Sequence, residues 1–260
     1  MGVIKSILVI LKRLRIPLPS VVDRRAALWV IQRKRTKSLE KLFGNVELVS
    51  DARGYWKVDP MPSEEGLAQF YSEDYWASRN QTNVIVTRRD ISHFEHLQGF
   101  MSLKSHSPLL GLNFGSGHGG ISYLMSSLGH QLINVDPFEN EPTRFQCVRS
   151  LQEIDRDVDL VYASHSIEHV TDIDDVMGHV KRLLRPKGIF YVEVPNNVFN
   201  SQRPILHPPH TYYFSPTFFE QLGFKILELS AYAYDGNEYG AKSSNWRGEV
   251  LRFVGQKSSL

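Results

Sequence analysis

Leu109-Leu110-Gly111-Leu112-Asn113-Phe114-Gly115-Ser116-Gly117-His118-Gly119-Gly120 joins an apolar run to a cluster of glycines. Ile121-Ser122-Tyr123-Leu124-Met125 follows with helical spacing. The pattern reads as strand, tight turn and helix. Glycine tolerates positive φ and lets backbone approach a ligand, while a helix N-terminus offers unpaired N–H groups. Past Gly129, Gln131-Leu132-Ile133-Asn134-Val135-Asp136 reads as a second strand ending in an acid, 21 positions beyond Gly115. An acid about 20 residues after such a turn is placed to grip a nucleotide ribose in a βαβ unit.

The 260 residues support one sizeable α/β domain with an appendage. With 42% apolar and 11% aromatic residues, the composition is that of an ordinary globule. The single cysteine, Cys147, excludes an internal disulfide framework and a cysteine-based zinc cluster, and fits a reducing, cytoplasmic setting. The net charge of +2 hides an asymmetry. Residues 1–41 hold 11 Lys/Arg against Asp23 and Glu40, while the remainder carries 19 basic and 26 acidic residues. The main domain is therefore mildly acidic, which disfavours a nucleic-acid-binding face.

In chain order, Ile4, Ile7, Leu8, Leu11 and Leu14 recur at helical spacing, with Lys5, Lys12 and Arg13 off that face. No apolar run here is long enough to span a bilayer or to serve as a signal-peptide core. A basic amphipathic segment suits either an anionic membrane surface or packing on the domain or a partner. Met1-Gly2-Val3-Ile4-Lys5-Ser6 loosely fits an N-myristoylation pattern. A second helix is expected from about Asp23 to Leu42, stopped by Gly44. The expected organisation is a basic helical arm over 1–44, an irregular aromatic-rich linker or cap over 45–87, and a main domain over 88–260. Tyr71, Tyr75 and Trp76 group just before that domain, where such rings cover a ligand or pack arm against domain.

Helices are expected over Asp90–Leu103 and Ile173–Leu184, the second followed by the breaker Pro186-Lys187-Gly188. Strands are expected at Val158–Ala163 and, near-continuously apolar, at Ile189–Val194. Ser215-Pro216 opens a short helix that Gly223 ends, and two late strands, Phe224–Leu229 and Glu249–Gly255, close the chain. The expected fold is α/β: a Rossmann-like, doubly wound, mostly parallel seven-stranded sheet with an antiparallel strand near its edge, plus the helical arm.

From about residue 60 onward, the chain resembles the class I S-adenosylmethionine-dependent methyltransferases. Four blocks carry the resemblance: Leu112 to Gly119; Val135-Asp136-Pro137; Val158–Val161 through Glu168-His169-Val170 to Leu183–Gly188; and Glu193-Val194-Pro195-Asn196 with His210–Ser215 and Leu222-Gly223-Phe224. The last two blocks look most like the branch that modifies sugars, glycans and natural-product small molecules.

The resemblance implies S-adenosyl-L-methionine as cofactor. It implies that Gly115, Ser116, Gly117 and Gly119 run under the cofactor's methionine part and ribose. Asp136, followed by Pro137, would accept from the ribose hydroxyls, Phe138 would lie against the adenine, and Ser164 and His165 would flank the methyl donor. Asn113 stands where the family carries Asp or Glu beside the cofactor's amino group, so it keeps an acceptor oxygen but loses the charge. The acceptor would be a saccharide, glycan or similar small hydroxylated or amino metabolite.

Methyl transfer from a sulfonium needs positioning and, at most, a base. Histidine suits that role because its pKa is near neutral. The candidates are His165 and His210 first, then His169 and His207. Glu168-His169 also reads as a pair that orients the next helix. His165-Ser166-Ile167-Glu168-His169 matches the H-x-x-E-H pattern of zinc peptidases, but a strand end cannot bring both histidines to one metal as a helix does, so no metal is expected. A non-catalytic binding protein on the same fold, suggested by Asn113, and a nicotinamide oxidoreductase are the competing classes. No oligomeric state is expected from the sequence.

Overall fold

The computed structural model describes residues 43–71, 84–101, 107–137, 145–196, 204, 206–207, 209–234, 239–243, 246 and 248–259. The basic arm over 1–41, Tyr75, Trp76 and Phe138 lie outside the described residues.

In chain order the elements are β1 (Glu47–Asp51), β2 (Tyr55–Asp59), α1 (Glu64–Phe70), α2 (Arg88–Leu97), β3 (Leu110–Phe114), α3 (Gly120–Ser127), β4 (Gln131–Val135), β5 (Cys147–Val148), β6 (Val158–Ser164), α4 (Ile173–Leu183), β7 (Leu184–Pro195), β8 (Tyr212–Phe214), α5 (Pro216–Glu220), β9 (Lys225–Tyr234), β10 (Tyr239–Ser243) and β11 (Val250–Gln256). The main sheet has the order β10-β9-β11-β7-β6-β3-β4-β5. Strands β5, β4, β3, β6 and β7 pair in parallel. β11 runs antiparallel between β7 and β9, as expected of the late strand pair. The structure adds an eighth strand, β10, antiparallel on β9.

The apolar run of β7 faces two cores. Phe190, Val192 and Val194 join α4 through Val176, Val180 and Leu183, and Ile189 and Tyr191 join Leu97, Ile121 and Met125 on the other face. A parallel strand covered on both sides has no solvent face to mark with polar residues, which is why its sequence does not alternate. Asp172 caps α4, its Oδ1 accepting from the N–H groups of Asp174 and Asp175 at 2.9 and 3.0 Å. Chain direction reverses at Leu184, so Pro186-Lys187-Gly188 lies within the exposed start of β7 rather than in a separate loop. α2 starts earlier and ends earlier than the expected 90–103. A capping box sets its start: Asp90 N–H donates to Thr87 Oγ1 at 3.2 Å and Thr87 N–H to Asp90 Oδ2 at 2.7 Å.

Within 45–87, where at most short strands and one short helix are expected, lies an ordered hairpin. β1 and β2 pair antiparallel, and β8 extends them through Tyr55↔Phe214, Trp56↔Tyr213 and Lys57↔Tyr212. Gly54 makes the turn at φ +89, where a Cβ would sit 2.6 Å from Phe218 N, so no larger residue fits without displacement. Tyr55 is buried in the main core, edge-on to Tyr212 and Phe218. The hairpin thereby fixes β8, which leads into α5 and β9.

Candidate functional site

The C-terminal ends of β3, β4, β6 and β7 lie side by side, the edge at which open α/β sheets bind ligands. The glycine turn leaves β3 there. Gly115, Gly117 and Gly119 all take positive φ, at +70, +51 and +67°. A Cβ on Gly115 would come within 2.3 Å of Ser166 Cβ, so the turn passes hard against the end of β6. At Gly117 a Cβ would meet nothing within 4 Å, leaving the outer side of the turn open. Asp136, at the end of β4, accepts the N–H of Gly117 on Oδ2 at 3.2 Å. A carboxylate presents two acceptor oxygens. The hydroxyl oxygens of Ser116 and Ser166 are buried without a hydrogen-bond partner among the described residues.

Asn113 points away from this opening. Its side chain is buried under α3, donating to Ser122 Oγ at 3.0 Å, while Ser122 Oγ donates to Asn134 Oδ1 at 2.6 Å. This amide network joins β3, β4 and the first turn of α3. The structure gives Asn113 a role in holding the turn's frame, next to the position where the resemblance sets it near the cofactor's amino group. Pro137 follows Asp136 at the same edge, and Ser164 ends β6.

Four histidines gather beyond Ser164. His165 has a left-handed backbone, φ +52, uncommon for a residue with a side chain. Its Nδ1 faces Glu168 Oε1 at 3.4 Å and its Nε2 faces Glu193 Oε1 at 3.5 Å. His169 Nε2 lies 3.7 Å from Glu168 Oε1. The His210 ring sits 4.8 Å from that of His169 and 4.7 Å from that of the exposed His207. Glu168, His169 and His210 each bring one side-chain heteroatom within 4.8 Å of the others. Tyr71 meets His169 edge-on at 6.2 Å, while its expected companions Tyr75 and Trp76 lie outside the described residues.

Thr211 brings these parts together. Its N–H and hydroxyl both donate to the Glu168 carbonyl, at 2.8 and 2.9 Å, and its hydroxyl also reaches the Val170 carbonyl at 2.6 Å. The loop before β8 is thus bound to the short 3-10 turn Ile167–His169, which sets His210 against His169. That turn is not an α-helix spanning both histidines of the H-x-x-E-H pattern, so the zinc-peptidase geometry does not form.

Glu168 is 1% exposed, and neither of its oxygens has a partner in hydrogen-bonding geometry among the described residues. Burial would raise its pKa; the histidines around it, His169 foremost and then His165 and His210, outweigh burial and hold it at about 2. His210 is held well below 6.5 by burial and by the neighbouring His169, with Glu168 only partly opposing. Burial lowers His169 likewise, against the pull of Glu168. His165 moves the other way: burial opposes its charge, but contacts with Glu168 and Glu193 prevail and raise it.

Behind His165 lies a buried network absent from the expected site. Glu193 Oε2 faces His93 Nε2 at 2.8 Å and accepts from Arg252 at 2.8 and 3.2 Å, while His93 Nδ1 meets the Tyr162 hydroxyl at 2.7 Å. The available signal was a charged residue inside each of two apolar strand runs, Ile189–Val194 and Val250–Val254. A strand covered on both faces admits a charge only beside a partner.

A family model described as a methyltransferase domain matches residues 100–229, half of the chain. Over 139 residues the chain is 30% identical to the C-methyltransferase NovU of Streptomyces niveus, covering 45% of this chain and 33% of that protein. Over 115 residues it is 31% identical to the ubiquinone biosynthesis O-methyltransferase of Rhodopseudomonas palustris strain HaA2, covering 38% of this chain and 45% of that one. The matches span less than half the length of either relative. The crystal structure of a Burkholderia thailandensis 1,6-didemethyltoxoflavin-N1-methyltransferase shares the fold, with a TM-score of 0.53 at 18% identity, over 82% of this chain and 100% of that one. Together with the glycine turn, the acid after β4 and the strand order, the family match over half of its length places this chain in the methyltransferase domain family.

Proposed function

We propose that this protein transfers a methyl group from S-adenosylmethionine to a saccharide or similar small hydroxylated or amino acceptor, with a histidine taking the acceptor's proton. One observation carries the reading. The glycine turn, open on its outer side and bonded to Asp136, lies at the same sheet edge as the neutral His169 and His210 beside a buried carboxylate.

The residues present fit the cofactor. Asp136 offers a carboxylate, the group suited to accept from ribose hydroxyls. The open side of Gly117 leaves room for the methionine part, and Ser116 and Ser166 hold hydroxyls beside it that are unpartnered among the described residues. S-adenosylmethionine supplies an already activated methyl group on a sulfonium sulfur. What this chain adds is orientation and proton acceptance. His210 is the favoured base: it is neutral at neutral pH, lies on the loop beside Glu168 and His169, and is partly exposed. The relatives named above act on carbon and on oxygen by their names, so the reaction type is common to both and the atom methylated is not.

Calorimetric titration with S-adenosylhomocysteine tests the cofactor, and transfer of labelled methyl to a panel of nucleotide sugars, reducing sugars and small amino alcohols tests the acceptor. Binding without any transfer across the panel supports the competing reading of a non-catalytic binding protein. Absence of heat at millimolar ligand rules out the cofactor assignment.

A further inference from the structure

We propose that His165 is a positioning residue, held with both ring nitrogens protonated as a bridge between two buried carboxylates, Glu168 and Glu193. The inference rests on the methyltransferase reading only for its consequence in catalysis; the charge state itself is independent of it.

Both ring nitrogens of His165 face carboxylate oxygens, Glu168 Oε1 at 3.4 Å and Glu193 Oε1 at 3.5 Å. A neutral imidazole has one donor and one acceptor nitrogen, so one of these contacts would set a lone pair against an anion. Only the imidazolium makes both contacts attractive. The backbone enforces the pose: His165 sits at φ +52, and its N–H donates to the Glu193 carbonyl at 2.8 Å. Glu193 thus meets His165 twice, through a main-chain hydrogen bond and a side-chain contact at ion-pair distance. A strained conformation of this kind persists only where its surroundings over-determine it.

The other groups facing this ring are accounted for. Arg89 on α2 opposes the charge on His165, and His169, beyond Glu168, is held neutral by burial. On β7 and β11, Glu193 Oε2 is already taken by Arg252 and His93, which keeps that carboxylate ionised and leaves Oε1 with His165 alone among the described residues. The resulting order is Arg252 positive, Glu193 negative, His165 positive, Glu168 negative. Charge alternates from the middle of β11 to the catalytic edge. His165 then has no lone pair with which to accept a proton from an acceptor molecule. Its work is to orient and balance Glu168, leaving proton acceptance to His210 and His169.

Ring nitrogens labelled with 15N report this directly, because imidazolium and the two neutral tautomers give distinct long-range 1H–15N patterns. The His165 signal is assigned as the one absent in His165→Asn. At neutral pH, wild-type His165 is expected to show the imidazolium pattern; a neutral tautomer there overturns the proposal without any variant. In Glu193→Gln the imidazolium pattern is expected to be lost, and its retention overturns the role given to Glu193. Should Glu193→Gln fail to fold, Glu168→Gln tests the same bridge: loss of the imidazolium pattern is expected, and its retention overturns the proposal. In methyl-transfer assays, Glu193→Gln should add a new ionisation to the pH profile of kcat while leaving KM for the methyl donor unchanged. Failure of transfer in every variant and in wild type would count against the proposed reaction, and the spectra would still decide the charge on His165.

Discussion

Arg252 donates twice to one oxygen of Glu193, at 2.8 and 3.2 Å, between two strands of the main sheet, with both side chains at most 2% exposed. The pair lies opposite in register, Arg252 on β11 against Glu193 on β7, and the guanidinium also stacks over the Tyr232 ring at 4.0 Å from its centroid. A buried pair of this kind adds little net stability over an apolar pair, but removing one partner strands the other. Arg252→Met is therefore expected to destabilise the fold by about 3–5 kcal/mol. Chemical denaturation of the variant, with the slope unchanged, measures it.

Asp136→Ala should leave the fold intact and weaken the cofactor. Asp136 sits just past the end of β4, where its carboxylate accepts from the Gly117 N–H of the turn. Losing hydrogen bonds to a charged acceptor costs about 1.5–3 kcal/mol, or roughly 10- to 100-fold in Kd. Calorimetry with S-adenosylhomocysteine checks this, and unchanged affinity would remove the ribose assignment.

His210→Ala should lower kcat by about 10²–10⁴-fold if the ring is the general base. Thr211→Val tests the same loop from beneath. It removes the hydroxyl that bonds the Glu168 and Val170 carbonyls, and is expected to cost about 1–3 kcal/mol together with a smaller loss of rate. Dialysis against EDTA should leave activity unchanged. If chelation abolished activity and a divalent ion restored it, proton acceptance by His210 would no longer explain the rate.

Stability should fall on acidification from neutral pH. The folded state depresses His93, His169 and His210 below 6.5, chiefly by burial, so their contribution is present above that value and is lost as pH falls through it. His165 is raised, so its contribution has the opposite sign: present below 6.5 and lost as pH rises through its folded value. Three groups oppose one, and the net slope is a loss toward acid. Glu168 and Glu193, both lowered from 4.5, add a second loss below that value. The thermal midpoint measured across this range should decline steadily; a rise between neutrality and pH 5 would contradict the assignments.

The basic arm predicts a membrane effect. Residues 1–41 carry 11 Lys/Arg against two acids, and basic residues near an anionic bilayer contribute about 1 kcal/mol each. The full chain should sediment with phosphatidylserine vesicles and a chain lacking 1–41 should not. Equal recovery in the supernatant would remove the membrane contact. Among the described residues no helix is long and apolar enough to cross a membrane.

Much of the sheet was legible because its signals are local. The apolar runs of β3, β4, β6 and β7 and the breaks at Gly129 and Gly223 each act within a few residues. The β1–β2 hairpin was harder to read. Its third strand, β8, comes from far along the chain, and Tyr55 gains its burial only when Tyr212 and Phe218 arrive. The bonding of Asn113 was not legible for a related reason. Its identity marks the motif, but whether its amide faces the opening or Ser122 depends on how α3 seats on the sheet.

By itself, the sequence determined the succession of the parallel strands and their helices, the glycine turn with Asp136 after β4, and the histidine-rich segments after β6 and β7. These follow from periodicity, glycine's access to positive φ and residue chemistry, all properties of short stretches. Tertiary structure alone decided what those histidines are. It set His165 between Glu168 and Glu193, placed Arg252 and His93 behind Glu193, and let Thr211 bring His210 to His169. A histidine's charge depends on which groups lie within a few ångströms and how much water is excluded, and chain positions far apart in sequence supply both.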